Sequence, residues 1–100
     1  MRVVPKTRLN RFWKSPGRAD AEGPLRAWYT HINSKTVLWR SWGDVKTSFK
    51  KASIVGDCVV FNIGGNKYRL IAEINYERGK LFVRHVLTHA DYSRGAWKKN

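Results

Sequence analysis

Cationic, imidazole and phenol side chains are grouped in the second half of the chain, where they could act on a phosphodiester. The group is Lys67, Arg69, Arg84, His85, His89 and Tyr92. Cations hold a phosphate, and His or Tyr can move protons. Metal-free RNA cleavage needs a base for the 2′-hydroxyl, cations for the phosphorane and an acid for the leaving 5′-oxygen. DNA lacks the attacking hydroxyl, so these groups would select RNA.

The overall charge indicates the same class of partner. The chain has 100 residues, with 20 Lys and Arg against 7 Asp and Glu, and its formal net charge is +13. Such an excess predicts a polyanionic partner, which could be RNA, DNA, a ribosome or an acidic protein. Because the chain has 100 residues, we expect residues 1–100 to fold as one domain. Because 42% of the residues are hydrophobic, we do not expect the chain to be disordered.

The sequence gives no support for a membrane protein, a secreted protein, a metal-binding protein or a nucleotide hydrolase. No apolar run approaches the roughly 18 residues needed to span a bilayer, and Met1–Lys6 lacks the hydrophobic region of a secretory signal. We therefore expect a cytoplasmic protein with no membrane partner. The single Cys58 sits in an apolar run as a structural thiol, and three His without a Cys or carboxylate cluster predict no metal and no cofactor. Gly64–Lys67 lacks the spacing of a nucleotide-hydrolysing phosphate loop.

Helical spacing of apolar residues predicts that the first half of the chain is helical. A short strand over residues 2–5 is followed by a helix over residues 6–14. A second helix follows, which Ser15 or Asp20 could cap; Gly23-Pro24 would either kink it or mark a late beginning near Pro24. Its apolar stripe is Ala21, Leu25, Trp28, Tyr29 and Ile32.

A third short helix is predicted by a capping-box pattern. In Ser41–Asp44 the Ser hydroxyl would accept from an exposed amide, and the Asp would reach back to the first turn. Val45 and Phe49, four residues apart, would face the core. Lys46 and Lys50 would then remain for solvent or for phosphate.

The apolar period changes from helical to two after residue 52. Cys58–Ile63 predicts a strand buried on both faces, and Gly64–Asn66 a tight reversal. Lys67–Tyr76 alternates as a second strand, and Leu81–Leu87 forms a third. Helices followed by an antiparallel meander predict an α+β fold.

The strand alternation assigns the candidate side chains to faces of the sheet. Lys67 and Arg69 share one face, about 7 Å apart, and are expected to be displayed and not buried. Arg84 and His85 are adjacent in their strand, so they are expected on opposite faces. His85 shares its face with apolar residues, and a buried core histidine is one reading of it.

The segment after the last strand carries the two remaining candidates. Thr88 or His89 would start a turn or a single helical turn. Because His89 and Tyr92 are three residues apart, they could then face the same way.

These motifs together resemble a known family, the HigB toxins of bacterial toxin–antitoxin modules, within the RelE-like superfamily. The segments that carry the resemblance are 60–70, 81–84 and Thr88-His89-x-x-Tyr92, with 27–29 and 52–57 in support. The resemblance implies a small α+β domain with N-terminal helices packed on a small antiparallel sheet. It also implies a ribosome-dependent endonuclease that cleaves mRNA in the A site, without a metal.

The resemblance also implies roles for individual residues. Arg69 would bind the scissile phosphate with support from Lys67, and Arg84 is a second phosphate candidate. His89 would transfer a proton, while Tyr92 would orient the mRNA or share the proton work. Further RNA contacts are expected from Lys46, Lys50, Lys98 and Lys99.

The partners implied by the resemblance are the 70S ribosome, its mRNA and an antitoxin of the HigA type with a helix-turn-helix domain. Operator DNA would be contacted only indirectly, through that antitoxin. Two alternatives stay open on sequence grounds. The chain could be a non-catalytic basic module that binds RNA or DNA, or an inactive toxin that only binds its antitoxin.

Overall fold

Helices dominate the first half of the chain, and a sheet dominates the second. The computed structural model describes the backbone of residues 1–99 and the side chains of residues 1–98. The strands are β1 (Arg2–Val4), β2 (Ser53–Val55), β3 (Cys58–Ile63), β4 (Tyr68–Asn75) and β5 (Lys80–Thr88). The helices are α1 (Lys6–Trp13), α2 (Glu22–Ile32), α3 (Trp42–Ser48) and α4 (His89–Arg94), with 3₁₀ turns at Ala19–Ala21 and Ala96–Lys99. The predicted α+β class is confirmed.

The five strands form a single mixed sheet in the order β1-β5-β4-β3-β2. The pairs from β2 to β5 are antiparallel, but β1 runs parallel to β5 and pairs Arg2 with Lys80. The prediction of a purely antiparallel sheet is therefore wrong at this edge. The strand β2 was not predicted, because three residues are too short to show a period of two.

The main core lies on one face of the sheet and includes residues of the first three helices. The buried cluster contains Leu9, Trp13, Leu25, Trp28, Ile32, Val45, Val59, Phe61, Ile63, Leu70, Ala72, Leu81 and Val83. Phe61 of β3 is central, because Trp28 packs edge-on against it with the ring centroids 5.4 Å apart and Phe49 does so at 5.2 Å. The apolar stripes predicted for the helices and for β4 are confirmed by this cluster.

Neither of the two residues predicted to cap α2 does so. The helix begins at Glu22 without a side-chain cap, and Pro24 lies in its first turn, where a missing N–H breaks no helical bond. Asp20 does not cap the helix but accepts hydrogen bonds from Lys67 and Tyr68. The predicted capping by Ser15 or Asp20 is therefore wrong.

Half of the predicted capping box of α3 is present. Ser41 is the N-cap residue but its side chain makes no cap hydrogen bond. Asp44 does reach back, and its Oδ2 accepts from the backbone N–H of Arg40 at 2.8 Å. Within residues 1–99, the structure has no helix with the length and apolar character required to cross a membrane.

β4 begins one residue later than predicted, and its outer face is less open than expected. Lys67 lies in the turn between β3 and β4, and the strand starts at Tyr68. Arg69 is only 8% exposed, so the prediction that it is displayed is wrong. The turn before the strand and the aromatic ring of Tyr92 enclose its guanidinium group.

A β-bulge in β5 changes the face on which its second half presents its side chains. Ile71 pairs with His85, but the next residue of β4 pairs with Val83, so Arg84 is the extra residue. Beyond the bulge Val86 packs against the core, while His85 is half-buried and lines a cavity. The predicted separation of Arg84 from His85 is therefore wrong, and His85 is not among the buried core residues.

Candidate functional site

The site is organised by α4, which begins directly after β5 and lies beside the start of β4. Thr88 caps the helix, and its Oγ1 accepts from the backbone N–H of Asp91 at 3.1 Å. The backbone N–H of His89 donates to the carbonyl of Lys67 at 3.1 Å. The turn before β4 is therefore joined to the first residue of the helix that carries His89 and Tyr92.

Arg69 is held in place by neutral groups. Its Nη1 donates to the carbonyls of Asn66 and Tyr68, both at 3.1 Å, and its Nη2 donates to Asn66 Oδ1 at 2.5 Å. The guanidinium carbon lies 5.5 Å from the centroid of the Tyr92 ring. Because all of these partners are uncharged, they orient the guanidinium without neutralising its positive charge. A buried, uncompensated cation attracts an anion more strongly than one in open solvent does.

The ring of Tyr92 also packs against Trp97. The two rings are stacked, with centroids 5.3 Å apart and an interplanar angle of 16°. Trp97 Nε1 also donates to the carbonyl of Tyr92 at 3.0 Å. Sequence reasoning missed both Trp97 and Asn66. The signals were the five-residue spacing from Tyr92 and the position of Asn66 in the turn three residues before Arg69.

His89 is exposed at the start of α4, next to this stack in the chain. Its Nδ1 lies 3.4 Å from Ser93 Oγ, one helical turn later. Among the contacts of residues 1–98, none joins the imidazole to Arg69. In the same described part of the chain, no three His, Cys, Asp or Glu side chains lie close enough together to hold a metal ion.

Lys67 is paired with a carboxylate from the helical half of the chain. Its ammonium group and the Tyr68 hydroxyl both bond to Asp20. The hydrogen bonds from Lys67 and Tyr68 hold the pKa of Asp20 below its ordinary value of 3.8. The same carboxylate raises the pKa values of Lys67 and Tyr68. Lys67 is therefore close to Arg69 in the chain, but part of its charge is compensated.

Arg84 lines a neighbouring cavity on the outer face of the sheet. Its Nε lies 3.1 Å from Glu73 Oε1, and its Nη2 donates to Oε2 at 3.3 Å. The cavity has a volume of about 560 Å³ and is also lined by Arg8, Asp57, Cys58, Ile71, His85, Trp97 and Lys98. Trp97 connects it to the Arg69–Tyr92 contact. The structure thus places Arg84 near that contact but in a separate cavity.

Burial shifts the titration of two further groups in this cavity. Desolvation, followed by the charges of Arg8 and Arg84, holds the pKa of His85 below its ordinary value. Desolvation also raises the pKa of the half-buried Cys58 thiol. A raised thiol pKa reduces the thiolate fraction, which agrees with a structural role for this cysteine.

The remaining predicted lysines lie in different surroundings. Lys46 Nζ donates to the carbonyl of Ala52 at 2.7 Å, so it joins α3 to the residue before β2. Lys50 is exposed and lines a separate cavity beside β3. Lys98 lines the outer cavity with Arg84. The side chain of Lys99 lies outside the described residues.

Known proteins with similar sequences indicate the family of the chain. The family model of the HigB toxin, described as the RelE-like toxic component of a toxin-antitoxin system, matches residues 21–95. The mRNA interferase toxin HigB of Escherichia coli (strain K12) is 46% identical over 33 residues, which are 33% of this chain and 32% of that protein. The mRNA interferase HigB of Shigella flexneri matches with the same identity and coverage.

A further relative, the mRNA interferase HigB of Escherichia coli O6:H1, is 43% identical over 35 residues, or 35% of this chain and 34% of that protein. Each of these matches spans about a third of the length of the curated relative. The family model, in contrast, runs from the last residue of the first 3₁₀ turn to the residue that follows α4. The chain therefore belongs to the HigB family of RelE-like toxins of toxin–antitoxin systems.

Proposed function

We propose that this protein is a ribosome-dependent endoribonuclease that cleaves mRNA in the A site and so inhibits translation. The observation that carries the proposal is the Arg69–Tyr92 contact, with His89 exposed on the same short helix. Relatives that match a third of the chain are named mRNA interferases, which supports the same reaction class. The net charge of +13 suits binding to ribosomal and messenger RNA.

Arg69 would stabilise the charge that develops on the scissile phosphate. Its guanidinium already has a fixed orientation, because Asn66 and Tyr68 accept its hydrogen bonds. A preorganised cation loses little on reorganisation when the phosphorane forms, which is the main source of electrostatic catalysis. Lys67 would add a partly compensated positive charge near the same end of β4.

His89 would move a proton in the cleavage step. The reaction transfers the 2′-hydroxyl proton to a base, forms the 2′-oxygen to phosphorus bond and breaks the bond to the 5′-oxygen, which takes up a proton. An exposed imidazole can reach the RNA and can serve in either proton role near neutral pH. Tyr92 would orient the mRNA or share the proton transfer. No step in this mechanism requires a metal ion.

The family assignment implies an antitoxin partner. We propose that this partner is a HigA-type protein with a helix-turn-helix domain, and that operator DNA is bound through it. The ribosome and mRNA are the further partners, and the cytoplasm is the proposed location. Arg84 and Lys98 would contact RNA from the outer cavity, and Lys50 from its own side of the sheet.

Programmed ribosomes provide the direct test. The purified protein is added to ribosomes stalled on a defined mRNA, and new 5′ ends are mapped for the wild type, Arg69→Ala and His89→Ala. We expect A-site cleavage by the wild type and a loss of about 100-fold or more in each variant. Lys35→Ala removes one exposed cation remote from the site and serves as the charge-matched control.

Two other outcomes of this experiment would contradict parts of the proposal. Folded Arg69→Ala and His89→Ala variants that cleave as well as the wild type would show that the site is wrong. Ribosome binding by the wild type without new mRNA ends would favour the non-catalytic binding module. Induction in bacteria gives a second readout, since both variants should relieve the growth arrest that the wild type causes.

A further inference from the structure

The bulge in β5 brings three nitrogen-rich side chains together on the outer side of the molecule. Arg84 is the bulged residue, and His85 follows it. Arg8 reaches them from α1, and its Nη1 donates to the backbone carbonyl of Arg84 at 3.1 Å. We refer to Arg8, Arg84 and His85 as the bulge cluster.

The bulge cluster lies between two cavities. All three residues line the outer cavity of about 560 Å³ and also a smaller one of about 250 Å³. Arg11 lines the smaller cavity, and Lys98 lines the larger one. The two cavities therefore share the cluster, and we refer to them together as the groove.

The charges within the groove favour an anion at the cluster. Arg8 donates to a neutral carbonyl, so that bond does not compensate its charge. His85 shares these cavities with Arg8 and Arg11 from α1, Arg84 from its own strand and Lys98 from the C-terminal turn. Glu73 and Asp57 also line the larger cavity, and Glu73 is paired with Arg84. Guanidinium and imidazole groups are donors that suit the oxygens of a phosphate.

The groove adjoins the proposed cleavage site through one shared residue. Trp97 lines the larger cavity and stacks on Tyr92, whose ring lies against Arg69. Ile71 lines the same cavity, pairs with His85 and is two residues after Arg69, a backbone separation of about 7 Å along β4. This backbone spacing is the reason for placing the cluster next to the proposed cleavage site.

We propose that the bulge cluster is a phosphate-binding subsite for the RNA nucleotide adjacent to the cleaved bond. This inference rests on the proposed endoribonuclease function, and it assigns Arg8 and His85 to RNA binding and not to the chemical step. The two guanidinium groups bind the phosphodiester oxygens, and the imidazole supplies a further donor. Glu73 competes with the phosphate for Arg84 and so limits the affinity.

A binding assay tests the subsite without requiring cleavage. The full-length protein is titrated with a short, fluorescently labelled single-stranded RNA in which each 2′-hydroxyl is methylated, so that it cannot be cut. We expect Arg8→Ala and His85→Gln to bind about tenfold more weakly. For Arg8→Ala the slope of log K against the logarithm of the salt concentration should also become less negative by about 0.7. Glu73→Gln should bind more tightly than the wild type.

Two controls make the result specific. Lys35→Ala removes the same charge elsewhere and should change the affinity much less than Arg8→Ala does. Arg8→Lys keeps the charge and, if Arg8→Ala proves unstable, should recover most of the salt dependence. NMR titration of His85 is an independent readout, since a phosphate bound at the cluster favours the imidazolium and raises its pKa.

The results that would overturn the phosphate-binding subsite differ from those that would overturn the proposed function. Equal affinities for Arg8→Ala and Lys35→Ala, or a His85 pKa unchanged by saturating RNA, would overturn the subsite. Tight binding of poly-glutamate, with no binding of the RNA, would assign the groove to an acidic protein instead. A protein that binds the methylated RNA through Arg8 but cuts no ribosome-bound mRNA would retain the subsite and lose the enzyme assignment.

Discussion

The guanidinium carbon of Arg69 lies 5.5 Å from the centre of the Tyr92 ring, and this contact joins β4 to α4. A cation held over an aromatic face away from bulk water stabilises a structure by up to about 2 kcal/mol. Trp97 stacks on the same tyrosine. The ring of Tyr92 therefore has a structural role that can be separated from any role of its hydroxyl group.

Substitutions at Tyr92 should separate these two roles. Tyr92→Phe keeps the ring against Arg69 and Trp97, so the free energy of unfolding should change by less than about 0.5 kcal/mol. Tyr92→Ala removes both contacts and should cost about 1–3 kcal/mol. Urea denaturation gives the stabilities, and the ribosome assay gives cleavage. If Tyr92→Phe cleaves at the wild-type rate, the hydroxyl takes no part in proton transfer.

Asn66→Ala should destabilise the turn that orients Arg69. The change removes the Oδ1 atom that accepts from Arg69 Nη2 at 2.5 Å, and a hydrogen bond to a charged group is worth about 1.5–3 kcal/mol. The free energy of unfolding should fall by that amount, and cleavage should fall with it. Asn75→Ala is the matched control, because its Oδ1 accepts only the exposed backbone N–H of Arg78. Equal losses from the two variants would argue against a special role for Asn66.

The two N-cap residues of α4 and α3 should respond differently to the same substitution. Thr88 Oγ1 accepts a cap hydrogen bond from Asp91, whereas the Ser41 side chain makes none. Thr88→Ala should therefore cost about 1 kcal/mol in the free energy of unfolding, and Ser41→Ala only a few tenths. Thr88→Ala should also weaken cleavage, since α4 carries His89 and Tyr92. Chemical denaturation of both variants checks the difference.

The Asp20 carboxylate should make stability depend on acid pH. Its pKa is lowered in the folded protein, first by the hydrogen bond from Lys67 and then by that from Tyr68. A lowered pKa contributes stability above the unfolded value, near 3.8, and this contribution is lost as pH falls through the folded value. Asp20→Asn should therefore lower Tm near neutral pH, and the difference should shrink in strong acid. A Tm difference that is constant across that range would contradict this linkage.

The helices and the three long strands could be predicted from sequence because their signals are local. The apolar spacing within α1 and α2 and the alternation within β4 do not depend on what lies next to them. The bulge at Arg84 is different, because it is defined by pairing: His85 lies opposite Ile71 only when β4 and β5 are aligned. A single strand read alone gives no sign of an extra residue, so the faces of Arg84 and His85 were assigned wrongly.

The surroundings of the candidate residues could not be predicted from sequence. The family resemblance grouped Arg69, His89 and Tyr92 in one site, and the structure brings Arg69 and Tyr92 into contact. Lys67 is paired with Asp20, 47 positions earlier, which no local pattern can reveal. The burial of Arg69 likewise depends on tertiary contacts.

The position of β5 in the sheet has a consequence for synthesis of the protein. β5 is the last strand to be made, yet it lies between β1 and β4 and pairs Lys80 with Arg2 at the other end of the chain. The sheet therefore cannot close while the chain is still short, and contacts of such large sequence separation form slowly. A partly translated chain that ends before β5 lacks the strand that joins β1 to β4. The sheet can therefore close only after Thr88, the last residue of β5, has been synthesised.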